Sequence, residues 1–121
     1  MSLDYKFLVL SSDPNEIHVI KETSTAAFGE SVFHESMDIS DAVDCCKANV
    51  YDLIFANSDG LDLDLFPQKL RQLNNDNKTT GILLIGDGTV VSSRNFSNVM
   101  QVKTMVDSEW VQRARVLISI K

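Results

Sequence analysis

The chain has 121 residues, a length that suits one compact domain. Its hydrophobic share of 44% is near the globular average, so a real core can form. The formal net charge of −6 repels polyanions and argues against direct nucleic-acid binding, and the basic residues of KLRQL and QRARV read as solvated helix faces.

The first element in chain order is KFLVL, Lys6 to Leu10, a short apolar run read as a buried strand. In SSDPNE, Asp13 is a good N-cap, Pro14 fits the first helical position, and Glu16 is expected to complete a capping box. The helix is expected to run to about Ala27, with Ile17, Ile20, Ala27 and Phe28 on one side, and to end at Gly29. SVFHE, Ser31 to Glu35, is a second, shorter strand. DISDAVDCCKAN is a second helix, with Ile39, Ala42, Val43 and Cys46 on one apolar stripe. Cys46 is therefore a core residue and Cys45 lies at the flank of the stripe. Adjacent cysteines do not suit a disulfide, and no C-x-x-C metal spacing occurs, which points to a reducing, cytoplasmic setting.

YDLIFAN is the third strand, SDGLDLD a loop, and LFPQKLRQLNN a third helix with Phe66, Leu70 and Leu73 inward. Asp59, Asp62 and Asp64 lack the register of an EF-hand and are not read as a metal site. TTGILLIG, Thr79 to Gly86, is the fourth strand. DGTVVSSRNFSN shows no clear period and is read as a short or irregular helix. VMQVK, Val99 to Lys103, is the fifth strand. DSEWVQRARVLISI is the final helix, capped by Asp107, with Val111, Ala114 and Ile118 inward.

Five apolar strands alternating with amphipathic helices imply an α/β fold: a parallel sheet covered by helices on both faces. With right-handed crossovers, the flavodoxin-like strand order 2-1-3-4-5 is the natural arrangement. Residues 1–121 form a single domain. The ending RARVLISIK has no capping glycine or polar tail, so the domain is expected to be excised from a larger protein. No apolar run is long enough to span a bilayer, and no signal peptide is present.

In such a fold the functional residues gather at the C-terminal strand ends. These are Ser11, Ser12 and Asp13, then Asn57, Gly86 and Lys103. On FLVLSSDP, YDLIFAN, TTGILLIG and MQVKT the chain resembles the receiver domain of two-component response regulators, over nearly its whole length. The resemblance implies where the site should lie, and the residues there depart from the pattern. The acidic pair that holds Mg²⁺ in the family falls on Ser11 and Ser12. The phospho-acceptor aspartate falls on Asn57 and the hydroxyl residue on Gly86, while the lysine is kept as Lys103. Thr104 replaces the usual proline, Met100 takes the aromatic switch position, and the segment before Lys103 is about a turn shorter.

An amide is a poor nucleophile toward phosphorus, and Mg²⁺ favours carboxylate oxygens over neutral hydroxyls. The expectation is therefore a non-phosphorylatable pseudo-receiver: no enzyme, no metal, no cofactor. It would act through protein contact in a phosphorelay-type regulator, on a protein partner or an attached output domain, with a homodimer also open to it. The binding face is expected either on the first-helix side or on the altered fourth helix, fifth strand and final helix, where Met100, Thr104 and Trp110 mark the expected output face. The resemblance further implies a static site, with Lys103 turned inward to the Asn57 side-chain oxygen and paired with Asp13. The competing reading is a flavodoxin-like module for a small molecule or cofactor, but SSDPNE lacks the glycine of a flavin phosphate loop. His18 and His34 have no triad partner in sequence and are given no catalytic role.

Overall fold

The computed structural model describes residues 5–57, 65–86, 98–103 and 109–119. Five strands form one sheet: β1 (Tyr5–Leu10), β2 (Ser31–Ser36), β3 (Leu53–Asn57), β4 (Gly81–Ile85) and β5 (Val99–Val102). Every pairing is parallel and the order is β2-β1-β3-β4-β5, as the alternation of elements predicts. The described helices are α1 (Pro14–Phe28), α2 (Ile39–Ala48), α3 (Leu65–Arg71) and α4 (Glu109–Ser119). None is long and apolar enough to cross a membrane. The segment read as an irregular helix, 87–98, lies outside the described residues except for the turn residue Asn98, and so do the loop aspartates 59, 62 and 64 and Asp107.

Side-chain alternation along the strands divides the core in two. Phe7, Val9, Leu53, Phe55, Leu83 and Ile85 point to one face, where Ile20 of α1 and Trp110, Ala114 and Leu117 of α4 cover them. Leu8, Leu10, Ile54, Ala56, Ile82 and Leu84 point to the other, under Ala42 and Cys46 of α2 and Phe66 and Leu70 of α3. Burial on both faces explains why β1, β3 and β4 read as continuous apolar runs rather than alternating ones. The first face is aromatic. Phe7 touches Phe28, Phe33 and Phe55 at centroid distances of 5.5 to 5.8 Å, and Trp110 stands edge-on to Phe28 and Phe55.

The expected helix stripes hold. Cys46 is buried, and Cys45 lies half-buried at the flank with its Sγ 3.5 Å from the Ser36 hydroxyl. One element was not anticipated: a 3₁₀ turn over Asp76–Thr79, where the sequence reading ends the third helix at NN and begins the fourth strand at Thr79. Gly81, at the start of β4, lets α4 approach the sheet, because a Cβ there would stand 2.6 Å from the Leu117 Cβ.

Candidate functional site

The C-terminal ends of β1, β3, β4 and β5 bring the predicted residues to one end of the sheet. Ser11 follows β1 directly. Its backbone N–H donates to the Ser36 carbonyl at 3.0 Å, so it extends the ladder with β2, and its side chain is buried. The Ser11 hydroxyl then accepts the Asp13 N–H at 3.1 Å. Asp13 is extended, caps α1 and accepts the Asn15 N–H at 3.0 Å, as the S-S-D-P string predicts. Ser12 and Asp13 are exposed.

The capping box does not form. In a capping box the glutamate would take the N–H of the cap residue, but Ser11 already holds that donor. Glu16 turns instead across the end of the sheet and accepts the Asn57 side-chain amide at 2.6 Å, a contact between residues 41 positions apart. Sequence reasoning missed Glu16 as a site residue because its spacing from Asp13 fits a local role so well. The usable signal was the serine two residues before the cap, a competitor for the same N–H.

Asn57, half-buried at the end of β3, is thus tied to the first turn of α1. An aspartate at this place would set a carboxylate against that of Glu16, and two like charges so close oppose joint ionisation. Gly86 follows β4, donates to the Val102 carbonyl at 2.9 Å and accepts the Gln101 side-chain amide at 3.0 Å. Its φ of 137° is a conformation that glycine favours and β-branched residues avoid. The hydroxyl residue of the receiver pattern would be strained on this backbone.

Two expectations are corrected. Lys103 is exposed, with no ion pair to Asp13 among the described residues, and Asp13 is exposed as its N-cap role requires. The ammonium stays in water because burial without a carboxylate is costly, and the contact to the Asn57 amide comes from Glu16 instead. Trp110 does not belong to an output face: it is 1% exposed and wedged between Phe28 and Phe55. Three residues of α4 on one stripe, Trp110, Ala114 and Leu117, carry it inward. Met100 is half-buried against the same core and borders a shallow hollow with Glu109, Gln112 and Val116. Thr104 lies outside the described residues. No group of three or more acidic, histidine or cysteine side chains that could hold a metal ion occurs among the described residues.

No protein-family model and no curated protein matches the sequence. Solved structures do match. The receiver domain of a sensor histidine kinase from Pseudomonas aeruginosa, with a magnesium ion coordinated in its active-site cleft, superposes with a TM-score of 0.73 at 15% identity, covering 97% of this chain and 99% of that one. The signal receiver domain of a signal transduction histidine kinase from Syntrophus aciditrophicus gives 0.74 at 13% identity, covering 95% and 90%. The pseudo-receiver domain of the CikA protein gives 0.67 at 20% identity, covering 95% and 97%. With its strand order and near-complete overlap, the chain has the fold of response-regulator receiver domains.

Proposed function

We infer that the chain is a pseudo-receiver, a signalling module of the two-component type that accepts no phosphoryl group and acts through protein contact. The observation that carries this reading is the 2.6 Å hydrogen bond from the Asn57 amide to Glu16 at the acceptor position. Receiver chemistry needs a carboxylate nucleophile, a metal held by acidic oxygens and donors for the moving phosphoryl oxygens. Here the acceptor position offers an amide already engaged. The two preceding positions are hydroxyls, one of them occupied by the Asp13 N–H. The third offers a glycine backbone that disfavours a hydroxyl residue.

What remains is a receiver shape in one fixed state. Asn57 and Glu16 join the end of β3 to the start of α1, so the end of the sheet that switches in a receiver is braced. In this reading the module is no enzyme. It sits in the cytoplasm within a larger signalling protein and presents a constant surface to an attached output or kinase domain or to a separate partner. Incubation with acetyl phosphate and Mg²⁺ followed by intact-mass measurement tests it. The expected result is an unchanged mass. A phosphate-sized gain that vanishes in Asn57→Ala would overturn the reading.

A further inference from the structure

The sheet face that carries α1 and α4 leaves edge strand β2 only partly covered. α1 lies over β1 and β2, and nothing among the described residues lies beyond it. Phe33 of β2 shows the consequence: its ring stacks into the aromatic core beside Phe7 at 5.5 Å, yet the residue is only half-buried. A groove therefore runs between the outer side of α1 and β2. The Lys21–Glu35 ion pair, 2.9 Å long, bridges it and divides it into two hollows. The lower one, about 860 Å³, has Phe33 and Val32 in its wall. The upper one, about 600 Å³, is bordered by Ile17 and Met37. Met37, at the upper hollow, is 70% exposed.

The charge around this apolar groove is one-sided. Glu22 and Glu30 border the lower hollow, Asp41 the upper, and Glu35 lies between. Lys21 is the cation facing them, and its partner Glu35 already neutralises it. His18, 3.1 Å from Glu22, adds charge only when protonated. An apolar floor under an acidic rim, as long as a 15-residue helix, has the form of a helix-in-groove site.

We propose that the α1–β2 groove docks a basic amphipathic helix of a partner protein, with its aliphatic stripe on Phe33, Ile17 and Met37 and its lysines or arginines toward Glu22, Glu30 and Asp41. The occupant extends the helical layer past α1 and covers the edge-strand face that the described residues leave open. The proposal rests on the protein-contact reading above and names the surface and the partner chemistry for it. Charge complementarity selects the occupant: an acidic or neutral helix would bury the same apolar area but bring no counter-charge to a rim of Glu22, Glu30, Glu35 and Asp41 that faces Lys21 and, when protonated, His18 among the described residues.

The probe is a synthetic helix of about 14 residues, which spans ~21 Å, with leucines along one stripe and lysines elsewhere. Its counterpart carries glutamate in place of every lysine. Amide NMR of the chain titrated with the lysine peptide should give saturable shifts confined to α1, β2 and the start of α2, and none with the glutamate peptide. The double variant Glu22→Lys/Glu30→Lys should weaken binding about ten-fold, and Asp44→Lys/Asp76→Lys, equal in charge but outside the groove, by less than about two-fold. Equal weakening by both variants would reduce the effect to bulk charge and overturn the proposal, as would absence of saturable shifts. A shift map centred on α4 and β5 would also overturn the groove while leaving the protein-contact reading standing. Phosphorylation of the chain would do the reverse.

Discussion

Each end of the sheet is organised around an asparagine, and the two are used in opposite ways. At the N-terminal end Asn77 is fully buried. Its Oδ1 accepts the Tyr51 N–H at 2.9 Å and the Thr80 hydroxyl at 3.0 Å, and its amide donates to the carbonyls of Cys46 and Asn49. Asn75 and Arg71 add donors to the Cys46 and Thr80 carbonyls. One side chain thus closes the backbone groups at the end of α2, the start of β3 and the turn before β4. At the C-terminal end Asn57 is half-buried and bonds to another side chain, the Glu16 carboxylate. A buried amide that bonds backbone groups of two elements and the Thr80 hydroxyl beside a third is structural, because removing it takes hydrogen bonds from all three. In the proposed reading, an amide facing a carboxylate at the C-terminal end of the sheet holds a position that receiver chemistry would otherwise use.

The comparison predicts unequal costs. Asn77→Ala should destabilise by about 3 kcal/mol or more, since it removes the side-chain hydrogen bonds of a fully buried amide to Tyr51, Thr80, Cys46 and Asn49. Asn57→Ala should cost under about 1 kcal/mol, since water reaches a half-buried site. Urea melts of the two variants measure the gap, and equal midpoints would break the distinction.

The glycines sharpen it. Gly81→Ala, at the N-terminal end of β4, should cost about 2 kcal/mol because the added Cβ meets the Leu117 Cβ of α4. Gly86→Thr, at the other end of the same strand, should cost roughly 1 to 2 kcal/mol through backbone strain alone. The same melts report both. A Gly86→Thr variant as stable as the parent would show that the backbone there accepts the hydroxyl residue after all.

Tyr51 extends the buried end toward β2. Its hydroxyl lies 2.7 Å from the His34 Nδ1 and edge-on to that ring. Burial raises its pKa above the ordinary phenol value, and the neighbouring Cys45 and Cys46 thiols add to the rise. The unfolded chain loses the phenolic proton near pH 10.0 while the folded chain keeps it. Above that pH the folded state binds more protons, so stability present below pH 10 falls as the pH rises. Tyr51→Phe should remove this alkaline loss and cost about 1 kcal/mol at neutral pH through the missing hydrogen bond. Melting temperatures at pH 8 and above about pH 10 for parent and variant check it. A parent that melts alike at both values would contradict the assignment.

Much of the architecture was legible because it follows local periodicity. The apolar runs of β1, β3 and β4, the stripe of α2 with Cys46, the Asp13 cap and the Gly29 stop all follow rules that act within a few residues. The gathering of Ser11, Asn57, Gly86 and Lys103 at the C-terminal strand ends was legible too, since strand boundaries fix it. The contacts that give each end its character were not. Asn77 reaches residues 26 to 31 positions away, and Glu16 reaches Asn57 across 41. Only the topology brings such partners together, and polar residues show no periodicity to reveal it. Trp110 was misplaced for a related reason: the expected stripe through Val111, Ala114 and Ile118 does pack against the core, but the buried face of α4 is wider and also takes in Trp110 and Leu117, one position before Val111 and Ile118.

The smallest expected effect bears on the brace itself. Glu16→Ala should change stability by less than about 1 kcal/mol, because the site is half-exposed. It should broaden or shift the Asn57 side-chain amide signals in NMR while leaving those of Asn77 in place. Loss of both sets together would mean that the two ends are coupled rather than independent.

The central claim is that the C-terminal end of the sheet is a receiver site held in one state. The most direct measurement is the amide NMR spectrum of the chain before and after addition of Mg²⁺ with beryllofluoride, a mimic of the phosphoryl group. Superimposable spectra at Ser11, Asp13, Asn57 and Gly86 are predicted. Saturable shifts centred on Asp13 and Asn57 would contradict the claim.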